Sequence, residues 1–183
     1  MKKYLATIMV LCGLLIIVGN SWALPITPDT LPRWTGTNND NMNASEIASY
    51  VGYNGTLSEL YKQNVGEGSD SGNFAASYET SFYNTPDDPK DATITHVVGS
   101  AYITGLPLYL YVKDGNHDPA FYIFDITNVW NGTDTIYLTD FWPGRGAISH
   151  VTILGKVSAV PEPVTLILLG LGLLGVAGFR RKK

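Results

Sequence analysis

Cysteine is nearly absent from this chain. The 183 residues contain a single one, Cys12, inside an apolar stretch near the N-terminus. One thiol cannot form an intramolecular disulfide, which excludes a small domain held together by disulfide bridges. Leu11, just before it, is too large for a lipoprotein cleavage box, so lipidation is not expected either. A packed hydrophobic core must therefore stabilise the folded part.

Positive charge is scarce outside the two ends of the chain. Residues 24–159 contain six basic and fifteen acidic residues, a formal net charge of −9. A surface of this sign repels nucleic acid and anionic lipid head groups. We therefore expect no nucleic-acid partner. Neutral polysaccharide, or polysaccharide bridged by cations, is compatible with such a surface.

Catalytic signatures are lacking as well. Ser149-His150 has no Gly-x-Ser-x-Gly turn around the serine, and His117 and His150 have no paired spacing for a metal. Glu67 and Asp70 are a candidate carboxylate pair for glycoside cleavage, but they lie in a Gly- and Ser-rich loop. We predict a protein that is not an enzyme, with no catalytic residue, cofactor or metal. A secreted carbohydrate-active enzyme is the alternative.

One polar loop resembles part of a calcium site. Asp114, Asn116 and Asp118 have the spacing of the first three oxygen ligands of a calcium loop. Pro119 replaces the glycine that the sharp turn needs, and the twelfth position is Asp125 rather than Glu. A polar hairpin turn is the preferred interpretation, and calcium binding stays open.

Helical patterning is scarce between residues 57 and 157, where short β-type segments alternate with turns rich in Gly, Asn, Asp and Pro. Residues 74–82 alternate apolar side chains with Ser77, Glu79 and Ser81, as in a half-buried strand. Residues 108–113 and 120–127 flank a polar turn and form the best hairpin candidate. The other expected strands are residues 57–65, 93–102, 135–138 and 147–157.

These segments predict an all-β fold, an antiparallel β-sandwich or jelly-roll-like single domain over residues 24–159. Before the strands, residues 24–43 are rich in Pro, Thr and Asn and predict an irregular lead-in. Trp34 is the residue of this lead-in that we expect to dock on the core. Ser45 is expected to cap a single helical turn that starts at Glu46.

Aromatic side chains are plentiful in this domain. Trp130 with Asn131, and Trp142, combine a ring that can stack on a sugar with polar neighbours for its hydroxyl groups. They are candidate carbohydrate contacts. Packing of the same rings in the core of a disulfide-free sandwich is the preferred interpretation.

The N-terminus has the layout of a secretory signal peptide. Lys2 and Lys3 precede an apolar core at residues 5–18, and Ser21-Trp22-Ala23 has the small-x-small pattern of a cleavage site. We predict a signal peptide at residues 1–23, cleaved after Ala23. The exported chain then begins at Leu24 and contains no cysteine.

The C-terminal residues predict a membrane span. Residues 164–179 form an uncharged apolar run of 16 residues. As a helix it would be roughly 24 Å long, a little short of the ~30 Å hydrocarbon core. The basic residues that follow can snorkel and stay cytoplasmic, which places the preceding domain on the far side of the membrane. These orienting residues are Arg180, Arg181, Lys182 and Lys183.

Pro161-Glu162-Pro163 stands directly before the predicted span. Two prolines around a glutamate hold the backbone extended, in a form that a membrane-embedded enzyme can recognise. This motif, the apolar span and the basic cluster together resemble a PEP-CTERM sorting signal over residues 160–183. The resemblance implies a bacterial source, transient anchoring in the inner membrane and processing by an exosortase. The cell surface or an extracellular exopolysaccharide matrix, as in a biofilm, is then the destination.

A second resemblance covers residues 47–155. Several runs in this region are similar to a recurring exported domain that precedes PEP-CTERM tails, among them Leu60-Tyr61-Lys62, Trp130-Asn131-Gly132-Thr133 and Phe141-Trp142-Pro143. That family is defined by its sorting signal rather than by a reaction. The resemblance implies a β-rich fold and adds no catalytic residue. A structural or polysaccharide-associated role is expected.

Overall fold

The computed structural model describes residues 22–66, 70–83, 88–114 and 116–157. Within them the chain forms nine strands, a short α-helix and one 3-10 turn. The strands are β1 (Ala23–Ile26), β2 (Arg33–Gly36), β3 (Ser58–Asn64), β4 (Tyr78–Tyr83), β5 (Asp91–His96), β6 (Leu108–Asp114), β7 (Phe121–Asp125), β8 (Thr135–Leu138) and β9 (Ile148–Gly155). The helix is α1 (Ala44–Tyr50), and the 3-10 turn covers Ala75–Ser77.

Two sheets form a sandwich, as predicted. The four-stranded sheet has the order β1-β8-β5-β4, and the five-stranded sheet has the order β2-β7-β6-β9-β3. All pairs are antiparallel except β1 with β8, which run parallel. The expectation of a purely antiparallel architecture is therefore wrong at this one edge. The irregular lead-in was also wrong in part, because β1 and β2 lie within it and each adds an edge strand.

The main core lies between the two sheets. Alternate residues of the four-stranded sheet, such as Ile94 and Ile136, face Leu110, Phe124 and Ile153 of the five-stranded sheet. Each such side chain contributes roughly 1.5–3 kcal/mol when it leaves water. This burial replaces the disulfides that the sequence cannot make.

A second apolar cluster covers the outer face of the five-stranded sheet. Ile47 and Ala48 of α1 pack against Tyr109, Phe121 and Ile123 on that face. Trp34 joins the cluster edge-on to Tyr109, so its predicted docking is confirmed. The central strand β6 is consequently buried on both faces, and all seven of its residues are buried.

Helix α1 is longer than the single turn expected, and its cap is Asn43 rather than Ser45. Asn43 Oδ1 accepts hydrogen bonds from the backbone N–H groups of Ser45 and Glu46, at 2.9 and 3.1 Å. Glu46 Oε2 accepts the backbone N–H of Asn43 at 2.7 Å, which completes a capping box. Ser45 itself lies in the first turn.

Two predicted strands differ from the observed ones by more than two residues at one end. Strand β4 begins at Tyr78, because Ala75–Ser77 close a 3-10 turn in which Ser77 N–H bonds Phe74 O at 2.9 Å. Strand β5 ends at His96, because the chain turns at Gly99, whose φ is +90°. The hairpin of β6 and β7 and the bounds of β8 are confirmed.

Strand directions give the sandwich two distinct ends. At one end, β7 and β9 end and β2 and β6 begin. We call this the Gly155 end. Trp130 links the end of β7 to the start of β8, since its N–H bonds Ile126 O and its Nε1–H bonds Asp134 O. The starts of β1 and β8 and the end of β5 therefore lie at the Gly155 end too. The opposite end, with the β6–β7 turn, is the Asp114 end.

Candidate functional site

An open groove runs along one side of the sandwich, where the edge strands β3 and β4 of the two sheets meet. It has a volume of about 660 Å³. Its lining combines small and polar side chains, namely Gln63, Asp70, Ala75, Ala76, Glu79, Thr80 and Ser81. We call it the edge groove. It is open, and its polar side chains can bond a ligand that carries many hydroxyl groups.

The wall that carries Asp70 is fixed by a short backbone bridge to β3. Ser71 and Lys62 exchange two backbone hydrogen bonds, of 2.9 and 3.0 Å. Gly72 follows with φ +100°, and a Cβ at this position would lie 2.6 Å from the carbonyl oxygen of Leu60. Only glycine allows the chain to approach β3 so closely. The bridge therefore sets the position of Asp70 in the groove.

A hydrogen bond between the sheets forms part of the groove wall. Tyr61 of β3 and Thr80 of β4 join their hydroxyl oxygens at 2.8 Å. Burial raises the pKa of the Tyr61 phenol above its ordinary value, and the bond to Thr80 partly opposes this. Tyr61 therefore stays protonated, but it is fully buried, and Thr80 is the member of the pair that lines the groove.

The two carboxylates of the groove interact. Burial, and then the charge of Glu79, raise the pKa of Asp70 above its ordinary value, while a hydrogen bond from Tyr61 lowers it. Asp70 is half-buried and Glu79 is exposed, so the two carboxyl groups lie in different environments. The pair can also, in principle, supply the acid and the base of glycoside cleavage.

The predicted pairing of Glu67 with Asp70 stays a prediction. Glu67 lies outside the described residues, and the described carboxylate that interacts with Asp70 is Glu79. Glu79 was assigned only as an outward-facing position of a strand. No sequence pattern could have paired it with Asp70, because the contact depends on which two sheet edges meet.

Trp130 and Asn131 lie at the Gly155 end. Trp130 is 5% exposed and packs in the main core, with its ring centroid 5.8 Å from that of Tyr78. Asn131 Oδ1 accepts the backbone N–H groups of Thr133 and Asp134, both at 2.9 Å, and so forms a turn. The preferred interpretation, core packing of the ring, is confirmed, and carbohydrate contact stays a prediction.

Trp142 lies at the Asp114 end, far along the sandwich from Trp130. It is 4% exposed, and its Nε1–H donates to the carbonyl oxygen of Pro119 at 2.7 Å. Trp142 and Asp140 both have positive φ, of 50° and 60°. Core packing is confirmed here as well. The structure does not bring the two tryptophans together into one binding surface.

The candidate calcium loop is a turn whose first carboxylate bonds within the protein. Asp114 is 4% exposed, and its Oδ2 lies 3.2 Å from Nδ1 of His117. Its Oδ1 accepts the backbone N–H of Asn116 at 3.4 Å. Asp118 is exposed. Among the described residues, no group of three or more His, Cys, Asp or Glu side chains is arranged to hold a metal.

Lys113 and His150 form a buried polar pair, and the sequence does not predict this pairing. They are cross-strand neighbours in β6 and β9, and they are 1% and 4% exposed. Lys113 Nζ donates to the carbonyl oxygen of Asp114, and burial lowers the pKa of the amine. Burial and the charges of Lys62 and Lys113 lower the pKa of His150 to about 3, so its imidazole is neutral at physiological pH. Ser149 Oγ lies 3.3 Å from Nδ1 of His150, but the ring is buried against Tyr111.

The strand that leads to the C-terminal segment ends at Gly155, and Lys156 and Val157 follow it. Residues 159–182 match the PEP-CTERM protein-sorting motif. The chain carries a sorting motif. The motif implies export, transient membrane anchoring and processing by an exosortase at the membrane. Neither the comparison with curated proteins nor that with solved structures gives a match.

The recognition of a PEP-CTERM tail from the sequence is therefore confirmed. The predicted span and the named residues of the tail lie outside the described residues. These residues are Pro161, Glu162, Pro163, Arg180, Arg181, Lys182 and Lys183. In the part of the chain that the structure describes, no helix is long and apolar enough to cross a bilayer. Ala23, the predicted signal cleavage residue, is the first residue of β1 and pairs with Thr135. Cleavage after Ala23 stays a prediction.

Proposed function

We propose that this chain is an exported bacterial surface or extracellular-matrix protein with a non-catalytic β-sandwich. The PEP-CTERM tail holds the exported chain in the inner membrane until an exosortase cuts near Pro161-Glu162-Pro163. The sandwich then passes to the cell surface or the exopolysaccharide layer. The observation that carries the proposal is the sorting motif at residues 159–182, directly behind the last strand of a folded sandwich.

The topology supports this route. Strand β1 begins and β9 ends at the same end of the sandwich. A signal peptide before Ala23 and a span after Gly155 would therefore both attach at that end. The folded domain can stand on the membrane by one end, without having to turn over between export and processing.

The processing step is tested by the mass of the C-terminus. We expect wild-type protein at the cell surface to lack Arg180–Lys183, as measured by intact mass spectrometry of surface and membrane fractions. Glu162→Ala should be exported but stay full-length in the membrane. Lys156→Ala, which removes a charge from the exposed connection just before the motif, is the matched control and should be processed normally. Equal surface release of Glu162→Ala would refute recognition of the motif.

The edge groove supports a polysaccharide-associated role. Its carboxylates, amide and hydroxyls can bond sugar hydroxyl groups, and its negative charge disfavours anionic polymers. We expect the protein to sediment with cellulose or with the exopolysaccharide of its host without releasing sugar. Gln63→Ala with Ser81→Ala should weaken sedimentation several-fold, while Tyr137→Ala, on an exposed face of β8, should not. Unchanged sedimentation of the double variant would show that the edge groove does not bind the polysaccharide.

Glycoside hydrolysis is the second candidate function. The observation that favours it is the raised pKa of Asp70 beside the carboxylate of Glu79 in one groove. A reducing-sugar assay on the same polysaccharides decides between the two. Turnover abolished by both Asp70→Asn and Glu79→Gln would establish the enzyme, whereas binding without turnover supports the non-catalytic module.

A further inference from the structure

The exposed apolar side chains of this protein are unevenly placed. Of the described residues, nine large hydrophobic side chains are exposed, and three of these are tyrosines on α1, β4 and β8. The other six adjoin strand termini at the Gly155 end: Trp22, Leu31, Val98, Leu106, Val129 and Val157. Val98 is 96% exposed and Leu31 is 75% exposed. Such clustering marks an interaction surface, since scattered exposed residues need no explanation.

The position of each side chain follows from the strand directions. Leu31 and Leu106 come two residues before β2 and β6, which begin at this end. Val98 and Val129 follow the ends of β5 and β7. Val157 comes two residues after β9. Trp22 lies there too, although it would leave with the predicted signal peptide.

Two loops at the Gly155 end differ in charge from the loops at the Asp114 end. Residues 97–107 and 126–133, which form loops at the Gly155 end, contain no charged residue. At the Asp114 end, by contrast, four aspartates are exposed: Asp40, Asp88, Asp118 and Asp140. Charged residues are present at both ends, among them Asp29, Asp134 and Lys156 at the Gly155 end and Arg145 at the Asp114 end. A lipid surface accepts uncharged apolar side chains, so the two uncharged loops make the Gly155 end the better candidate for contact with a membrane.

The short connection to the predicted span keeps the Gly155 end close to the bilayer. The sorting motif begins at residue 159, two residues after Val157, and its uncharged run begins at residue 164. Seven residues can span at most roughly 25 Å when fully extended. While the tail is anchored, Val157 therefore stays within roughly 25 Å of the membrane, and the Gly155 end is the end held nearest to it.

We propose that the Gly155 end is a lipid-contact surface. Leu31, Val98, Leu106 and Val129 rest in the interfacial region of the bilayer that holds the tail, before processing releases the domain. This inference depends on the membrane anchoring in the proposed function. It assigns the apolar end a role during anchoring and leaves the acidic end and the edge groove open to the exterior.

Site-specific fluorescence tests the contact. Cys12 is the only cysteine, so Cys12→Ala gives a background for single labels in the full-length chain. The environment-sensitive dye NBD would be attached to Val98→Cys, Val129→Cys, Asp118→Cys or Leu168→Cys, with the protein reconstituted in phosphatidylcholine vesicles. Acyl-chain-brominated phosphatidylcholine then quenches the dyes that touch lipid. Val98 and Asp118 are both exposed loop residues, so neither label should disturb the fold.

We expect quenching at positions 98, 129 and 168, and none at position 118, which is the matched control at the acidic end. Quenching at 168 without quenching at 98 and 129 would overturn the lipid contact but leave the anchoring intact. A blue-shifted, unquenched dye at 98 would indicate contact with a second copy of the chain, which also overturns the proposal. No quenching at 168 would refute the anchoring itself, and the inference would fall with it.

Discussion

The hydroxyl groups of Tyr61 and Thr80 lie 2.8 Å apart and join the two sheets at the edge groove. Tyr61 is fully buried on β3, and its ring also packs against that of Tyr78, with centroids 5.5 Å apart. A single bond thus links an edge strand of the five-stranded sheet to an edge strand of the four-stranded sheet. It also lies beside Asp70, whose pKa the Tyr61 hydroxyl lowers.

Tyr61→Phe is expected to destabilise the protein by about 1 kcal/mol, the usual net contribution of one hydrogen bond. The pKa of Asp70 should rise further, because the donor that lowers it is lost. Denaturant unfolding measures the first effect and NMR titration of the Asp70 carboxyl the second. Tyr83→Phe is the matched control: its hydroxyl bonds Thr93 at 3.0 Å on an exposed face, and its loss should matter little. Equal losses in both variants would contradict a special role for the Tyr61 bond.

Gly72→Ala is expected to cost roughly 2–4 kcal/mol, because strain at φ +100° adds to overlap with a backbone oxygen. The Ser71–Lys62 bridge should open, and the pKa of Asp70 should return towards its ordinary value. Gly66→Ala is the control, since Gly66 has φ +75° but no atom within 4 Å of the added Cβ. That change should cost about 1–2 kcal/mol through backbone strain alone. Similar melting temperatures for the two variants would show that the close approach to Leu60 is unimportant.

Strand β8 was predicted well because its side chains alternate strictly. In β8, Ile136 and Leu138 are buried, whereas Tyr137 is exposed, and the predicted bounds match the observed ones. Strands β1 and β2 have four residues each and little such pattern. Their identity comes from pairing with β8 and β7, which is a tertiary effect that local patterning does not contain.

The edge groove could not be predicted for a related reason. Asp70 and Glu79 are nine positions apart and lie on segments attached to different sheets, so only the packing of the sheets brings them together. Lys113 did leave a signal, since it directly follows five apolar residues in β6. A lysine within a fully buried strand must itself be buried or break the strand, and in this protein it is buried.

Asn43→Ala should destabilise the protein by about 1 kcal/mol, because it removes both hydrogen bonds that the cap accepts. Ser45→Ala is the control and should be close to neutral, although Ser45 was the cap that the sequence indicated. Thermal unfolding by circular dichroism distinguishes them. A larger loss for Ser45→Ala would mean that the capping assignment in the structure is wrong.

His150 predicts how stability depends on pH. The pKa of His150 is lowered to about 3 in the folded protein by burial and by Lys62 and Lys113, against an ordinary value of 6.5. Below pH 6.5 the unfolded chain therefore binds a proton that the folded protein does not, and stability falls as pH decreases towards 3. The slope from this one group approaches about 1.4 kcal/mol per pH unit.

His150→Gln should flatten the stability profile between pH 6.5 and 4, even though it loses the ring contact with Tyr111 and some stability at pH 7. Denaturant unfolding across this range measures how steeply stability changes with pH. The imidazole proton resonances of His150 in the wild type should not shift above pH 4. Asp70 acts in the opposite direction, because a raised carboxyl pKa favours the folded state as pH decreases towards 3.8. If stability decreases more steeply with decreasing pH in the wild type than in His150→Gln, the difference is therefore due to His150. A titration of its ring near pH 6.5 would refute its burial as a neutral group.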